Sequence, residues 1–181
     1  MGHRYSVIVT EAPYFSESMQ RILREVDAEL KLAPCTTATE VVSQASEADV
    51  IITTKADFSR PVLERLNRCR FIIRCGIGMD NFDIEAATNR GILIANLPDW
   101  YVEDLSNHIM GFILNSSRKI TLTDRLVRRG EYSLDKIKPI RQLKDCVLGF
   151  VGFGKNARSL LPKLKPFRLR LLVYDPHTSN L

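Results

Sequence analysis

Short apolar runs alternate with helix-like patterns along the first hundred residues. Tyr5 to Thr10 reads as a buried strand, and Glu17 to Leu30 reads as an amphipathic helix. That helix has Ser16 as N-cap and Met19, Ile22, Leu23 and Val26 at i, i+3, i+4 and i+7. A weak strand at Leu30 to Pro34 follows, then a helix from Glu40 with Thr37 and Glu40 as a capping box, and a β-branched strand at Val50 to Thr54. The alternation repeats: helix Pro61 to Asn67 after Ser59, strand Phe71 to Arg74, helix Ile84 to Asn89 between Asp83 and Gly91, strand Ile92 to Ala95. Strands separated by helices predict an open parallel α/β sheet of flavodoxin-like type.

Pro98 punctuates the chain, and the pattern then changes. From Tyr101 to about Arg129 the sequence predicts one continuous helix whose stripe comprises Val102, Leu105, Ile109, Phe112, Ile113 and Ile120, ending at Gly130. A Lys-rich segment, Glu131 to Asp145, has no clear period. A second α/β start follows, with strand Cys146 to Val151, a glycine turn, a helix, and strand Leu171 to Tyr174. From Cys146 onward the sequence accommodates one β-α-β unit, whereas a full dinucleotide domain is built from two such halves.

Composition changes this picture little. Of 181 residues, 45% are hydrophobic and 26% charged, which suits an ordinary packed core and excludes disorder or a collagen-like chain. No apolar run approaches membrane-span length, and Met1 to Pro13 does not read as a signal peptide, so a cytoplasmic protein is expected. Four cysteines (Cys35, Cys69, Cys75, Cys146) make no CxxC pair and the three histidines lie far apart, so no metal site is expected. The net charge of +5 is uneven: Arg118 to Arg170 holds fifteen Lys/Arg against four Asp/Glu. These charges are scattered among Leu, Ile and Val without stacking aromatics, which fits a solvated or phosphate-attracting surface better than a nucleic-acid site.

Two turns carry candidate chemistry. Gly152-Phe153-Gly154-Lys155-Asn156-Ala157 follows a strand and opens a helix, and Asp175 stands at the tip of the next strand. Gly152 suits a tight turn, Gly154 a close approach of backbone to a pyrophosphate, and the helix N-terminus offers amides to phosphate. Asp175 would accept the ribose hydroxyls and repel a 2′-phosphate, favouring NAD over NADP. The alternative is a tight β-α turn with an incidental acid. The second turn, Arg74-Cys75-Gly76-Ile77-Gly78 with Met79, Asp80 and Asn81, places glycine-flanked amides beside a guanidinium, which suits a small carboxylate. A plain β-α turn with an Arg paired to a surface carboxylate is the other reading.

Taken with Ile84 to Ile92, Asn96-Leu97-Pro98, Val102-Glu103-Asp104, the helix through Arg118, and Val151 to Pro176, these motifs resemble the D-isomer-specific 2-hydroxyacid dehydrogenases. The likeness is strongest to phosphoglycerate dehydrogenases and the related C-terminal-binding protein corepressors, and it runs from about Val50 onward. It implies a substrate-binding domain over residues 1–100 and the first part of a Rossmann NAD-binding domain over 101–181. It also implies dimerisation through the NAD domain and a small 2-hydroxy or 2-oxo acid as substrate. In similar proteins the turn from Arg74 to Gly78 binds the substrate carboxylate, Ile77 also faces the cofactor, and Lys155 and Asn156 sit on the pyrophosphate.

Departures temper the resemblance. The family's catalytic His, its acid partner and a carbonyl-polarising Arg find no counterpart here, since His3, His108 and His177 fall elsewhere. The chain alone is therefore expected to be inactive, and a non-catalytic NAD-sensing module like the corepressors is the alternative. Ile77 lacks a hydroxyl common at its position, Asn156 replaces an aliphatic residue, and Pro162 falls inside the nucleotide helix, where proline can cost about 3 kcal/mol. An acylation-like start (Met1 to Ser6) and a glycosylation-like triplet (Asn115-Ser116-Ser117) read as chance matches.

Overall fold

The computed structural model describes residues 5–11, 13 and 15–177; His3 and most of the acylation-like start lie outside the described residues. The chain divides into two compact units, Met1–Asp99 and Trp100–Leu181.

The first unit is a parallel sheet of β1 (Tyr5–Val9), β2 (Ala28–Leu32), β3 (Val50–Thr53), β4 (Phe71–Arg74) and β5 (Leu93–Asn96). Their order, β2-β1-β3-β4-β5, is the flavodoxin-like order that the alternation predicts. The helices between them are α1 (Glu17–Arg24), α2 (Ala38–Ala45), α3 (Arg60–Leu63) and α4 (Ile84–Asn89). Successive strand residues face opposite layers. Ile8, Ile51 and Ile72 join Val41, Phe58, Val62, Leu63 and Leu66 in one core, while Val7, Val9 and Ile52 pack with Met19 and Leu23 in the other. Phe58 stacks on Phe82 with ring centroids 5.0 Å apart.

Two helices end well short of the sequence reading. The helix expected to run to Leu30 stops at Arg24, because Asp27 takes a left-handed conformation (φ 51°) and its carbonyl accepts the Tyr5 amide. That turn brings Ala28 into register with Tyr5 and starts β2 two residues before the expected strand. Helix α3 ends at Leu63 rather than Asn67, whose amide instead donates to the Ser46 carbonyl.

The second unit holds α5 (Val102–Arg118), α6 (Ile120–Arg128), the parallel pair β6 (Val147–Val151) and β7 (Arg170–Tyr174), and α7 (Lys155–Leu164) between them. The single helix expected from Tyr101 to Arg129 is thus two. Lys119 sits at φ 57°, and the Asn115 carboxamide oxygen accepts both the amide and the hydroxyl of Thr121 at 2.8 Å, capping the start of α6. Helix α7 runs through Pro162 unbroken, with Leu160 and Leu164 buried on the face that anchors it. Lys163 ties α7 to α5 by donating to the Glu103 carboxylate (2.7 Å) and the Asn107 carboxamide (2.6 Å).

The capping box of α2 is present as read: Thr37 accepts the Glu40 amide, and the Glu40 carboxylate accepts the amides of Thr36 and Thr37. Those amide bonds hold the Glu40 carboxyl at about 2, below its ordinary 4.5. Because the folded value is depressed, this contribution is present above pH 4.5 and lost as pH falls towards 2. Glu40→Gln should therefore lower the urea midpoint at neutral pH and shrink its drop between pH 5 and pH 2.5. Parallel acid losses in both proteins would count against the assignment.

Candidate functional site

In the first unit the carboxyl ends of β1, β3 and β4 converge on the turn after Arg74. Arg74 donates from Nε to the Gly78 carbonyl (2.9 Å) and from Nη1 to the Thr54 carbonyl, so its fork closes the turn upon itself. A Cβ on Gly76 would lie 3.2 Å from Arg74 Cζ and Nη1, so any side chain there would press on the guanidinium. Asn96 supports the far side, donating from Nδ2 to the Ile77 carbonyl at 2.9 Å. Among the described residues nothing accepts the amides of Ile77 or Gly78, which leaves two adjacent N–H groups beside a guanidinium. Cys75 is half-buried, and burial, then the Glu11 charge, push its thiol up despite Arg74.

Sequence reasoning missed Glu11 in this arrangement. Its two oxygens accept the amides of Thr54 (2.9 Å) and Lys55 (2.8 Å), fixing the peptide whose carbonyl Arg74 grips. A lone acid after a strand gives no sequence signal of that role, because its partners lie 43 and 44 residues away.

In the second unit the glycine turn takes the shape the motif implies. Gly152 has φ 91°, a left-handed backbone that only glycine adopts freely, and its amide donates to the Tyr174 carbonyl. Nothing lies within 4 Å of the point where a Cβ on Gly154 would stand. The Asp175 carboxylate closes the turn: Oδ2 accepts the Phe153 amide (2.6 Å) and Oδ1 accepts the His177 amide (2.8 Å). Arg158, unremarked in the sequence, donates from Nε to the Phe153 carbonyl (3.0 Å) and lies 5.4 Å from that ring.

Lys155 stands at the first position of α7, where a cation opposes the helix dipole and an anion would be favoured. A cavity of about 420 Å³ opens beside the turn, lined by Gly152, Gly154, Asn156, Phe150, Ile109 and Ile113. The Asn156 carboxamide oxygen is buried and has no hydrogen-bond partner, and nothing described accepts the Asn156 amide in the first turn of α7. A φ-positive glycine, open space over Gly154, a first-turn amide and an acid at the strand tip together fit a dinucleotide's diphosphate and ribose. Among the described residues no group of His, Cys, Asp and Glu could hold a metal, and no helix is long and apolar enough to cross a membrane.

The first unit thus presents a glycine turn beside a guanidinium, and the second a glycine turn closed by an acid. The family model for the catalytic domain of D-isomer specific 2-hydroxyacid dehydrogenases matches residues 7–159, and the chain belongs to that family. It is 31% identical over 172 residues to D-3-phosphoglycerate dehydrogenase of Methanocaldococcus jannaschii, covering 94% of this chain and 32% of that protein. It is 28% identical over 146 residues to glyoxylate reductase of Pyrococcus furiosus, covering 75% of this chain and 43% of that one. The PH0520 protein of Pyrococcus horikoshii superposes with a TM-score of 0.75 at 28% identity, over 98% of this chain and 54% of that one. The D-lactate dehydrogenase of Aquifex aeolicus, solved with NAD and lactic acid, shares the fold at TM-score 0.80 and 18% identity, over 97% of this chain and 52% of that one. The chain thus spans about a third to a half of the length of these curated relatives.

The orphaned oxygen at Asn156 yields a prediction. A buried acceptor without a partner costs about 1–3 kcal/mol, so Asn156→Leu should raise the unfolding free energy of the ligand-free protein by about 1 kcal/mol. Chemical denaturation measures this, and an equal or lower stability would mean that the oxygen is satisfied by solvent. Gly76→Ala should act oppositely, displacing the Arg74 guanidinium and destabilising the turn by about 1–3 kcal/mol.

Proposed function

We propose that this chain supplies the substrate-carboxylate turn and the cofactor-diphosphate turn of an NAD-dependent D-2-hydroxyacid dehydrogenase. Residues 1–100 act as the substrate-binding part and residues 101–181 as the first part of the NAD-binding domain. One observation carries the reading: the Phe153 amide is bonded to Asp175 Oδ2 beside the open space over Gly154, which puts the acid at the glycine turn that opens a helix.

NAD, when bound, supplies the hydride acceptor or donor. Lys155 and the amides at the start of α7 hold its diphosphate, Gly152 and Gly154 admit it, and Phe153 fixes the loop. Asp175 accepts the ribose hydroxyls, and its charge disfavours a 2′-phosphate by like-charge repulsion. The amides of Ile77 and Gly78 bind the carboxylate of a small 2-hydroxy or 2-oxo acid, with 3-phosphoglycerate the first choice. Cys75 and Gly76 shape the turn, Arg74 braces it and adds positive potential, and Ile77 is the residue of this turn assigned to the cofactor as well. These residues bind and orient, while proton transfer is assigned to none of them. The protein acts in the cytoplasm as a homodimer joined through the NAD domain.

NADH fluorescence titration tests the cofactor half. Saturable NADH binding is expected, with NADPH at least about tenfold weaker, and Asp175→Asn should keep the loop while narrowing that preference. A folded protein that binds no NADH would overturn the reading. Glyoxylate tests the substrate half and should shift the amide resonances of Ile77 and Gly78 before others. Sedimentation should give a mass of twice 20.6 kDa.

A further inference from the structure

At the opposite edge of the first unit, where β3, β4 and β5 begin, a second cavity of about 530 Å³ is lined by Asp49, Arg68, Cys69, Arg70, Arg90 and Gly91 among others. Three arginines from two segments, Arg68 and Arg70 at the entry to β4 and Arg90 at the end of α4, line it with one carboxylate. Converging like charges is unfavourable unless each is compensated, and the partners can be traced one by one.

Asp49, 7% exposed at its side chain, accounts for Arg68: Nη2 of the arginine lies 3.0 and 3.1 Å from its two oxygens. The same carboxylate accepts the Ser6 amide at 2.8 Å, so it is committed to holding β1 and the start of β3 together. Arg90 lies at the C-terminal end of α4, where a cation suits the helix dipole, and Nη2 donates to the Leu66 carbonyl at 3.0 Å. That bond uses one of five N–H groups and leaves its charge unneutralised. Arg70 is exposed, and among the described residues its guanidinium meets no acceptor. Its backbone is fixed all the same, since its amide donates to the Asp49 carbonyl and its carbonyl accepts the Leu93 amide. Glu47 lies near the rim but accepts from Asn67 and does not line the cavity.

The lining therefore carries two positive charges in excess of its carboxylate, on arginines whose backbones are held at the entry to β4 and the end of α4. We infer that it binds a phosphate dianion, free or as the monoester of a small metabolite, through Arg70 and Arg90, with Arg68 held ready by Asp49. Two forks and a doubly charged tetrahedral anion match in charge and in donor geometry. The cavity volume falls within the range of small-molecule sites. The site lies at the amino ends of the strands, so its occupant does not compete with a ligand at the Arg74 turn. It stands independently of the proposed dehydrogenase activity.

The test is an amide NMR titration of the whole chain with inorganic phosphate at constant ionic strength, with chloride as the matched control. Saturable shifts at Arg68, Cys69, Arg70 and Gly91 are expected. Arg70→Gln, at an exposed position, should weaken them about tenfold, as should Arg90→Lys, which keeps the charge but loses the fork. Glycerol phosphate binding more tightly than inorganic phosphate would assign the cavity to an ester, and the reverse order to the free ion. Shifts reproduced by chloride, or unchanged affinity in both folded variants, would overturn the inference. NADH affinity should be the same with and without phosphate, which separates this test from that of the cofactor site.

Discussion

The parallel direction of the five strands in the first unit is the constraint from which its candidate site follows. Parallel strands place all their carboxyl ends on one edge, and each strand must leave that edge through a loop. The order β2-β1-β3-β4-β5 makes the chain leave in opposite directions from β1 and β3, opening a crevice between them. Glu11, Thr54 and Arg74 are the residues that follow or end β1, β3 and β4, and they are joined by hydrogen bonds across that crevice. Strand direction thus decides where such a turn can be built, and the side chains decide how it is braced.

The Arg74 turn is braced from below rather than completed. Glu11 fixes the Thr54-Lys55 peptide, Thr54 presents a carbonyl to Arg74, and Arg74 reaches on to Gly78. Each link occupies a carbonyl or carboxylate acceptor, while the amides of Ile77 and Gly78 and the buried hydroxyls of Thr53 and Thr54 have no partner among the described residues. Neighbouring N–H groups beside a guanidinium are the kind of concavity that favours an anion over a cation. Arg74 commits Nε and Nη1 to carbonyls of its own unit, so the guanidinium braces the turn, and the amides of Ile77 and Gly78 are the donors left open.

The strand-helix alternation, the flavodoxin-like order, the capping box at Thr37 and Glu40 and the glycine turn with Asp175 were all legible because each rests on local signals. Period-two and period-3.6 patterns and turn chemistry act over a few residues. The features that escaped depend on distant or conformational partners. Lys119 has no sequence mark that would place it at φ 57°, and only Asn115 folded over Thr121 accounts for the break. Ala28 is buried because β1 recruits it, so the register with Tyr5 overrode the helical stripe that continued past Arg24. Glu11 and Arg158 acquire their roles from carbonyls and amides that no spacing rule reveals.

The departures from the family pattern can be weighed by the same logic. Pro162 costs the amide bond that would reach the Arg158 carbonyl, yet α7 persists, because Leu160 and Leu164 are buried and Lys163 is anchored on α5. Helix stability in proteins comes mostly from such packing, so the proline is absorbed rather than expressed as a break. Asn156 is different, since its oxygen lies beside the cavity with nothing to bond, and packing cannot supply a donor. A group of that kind is retained where something else completes it or where selection tolerates its cost. Of the two substitutions, the one that seemed to threaten the fold is neutralised within this chain, and the milder one leaves the open valence.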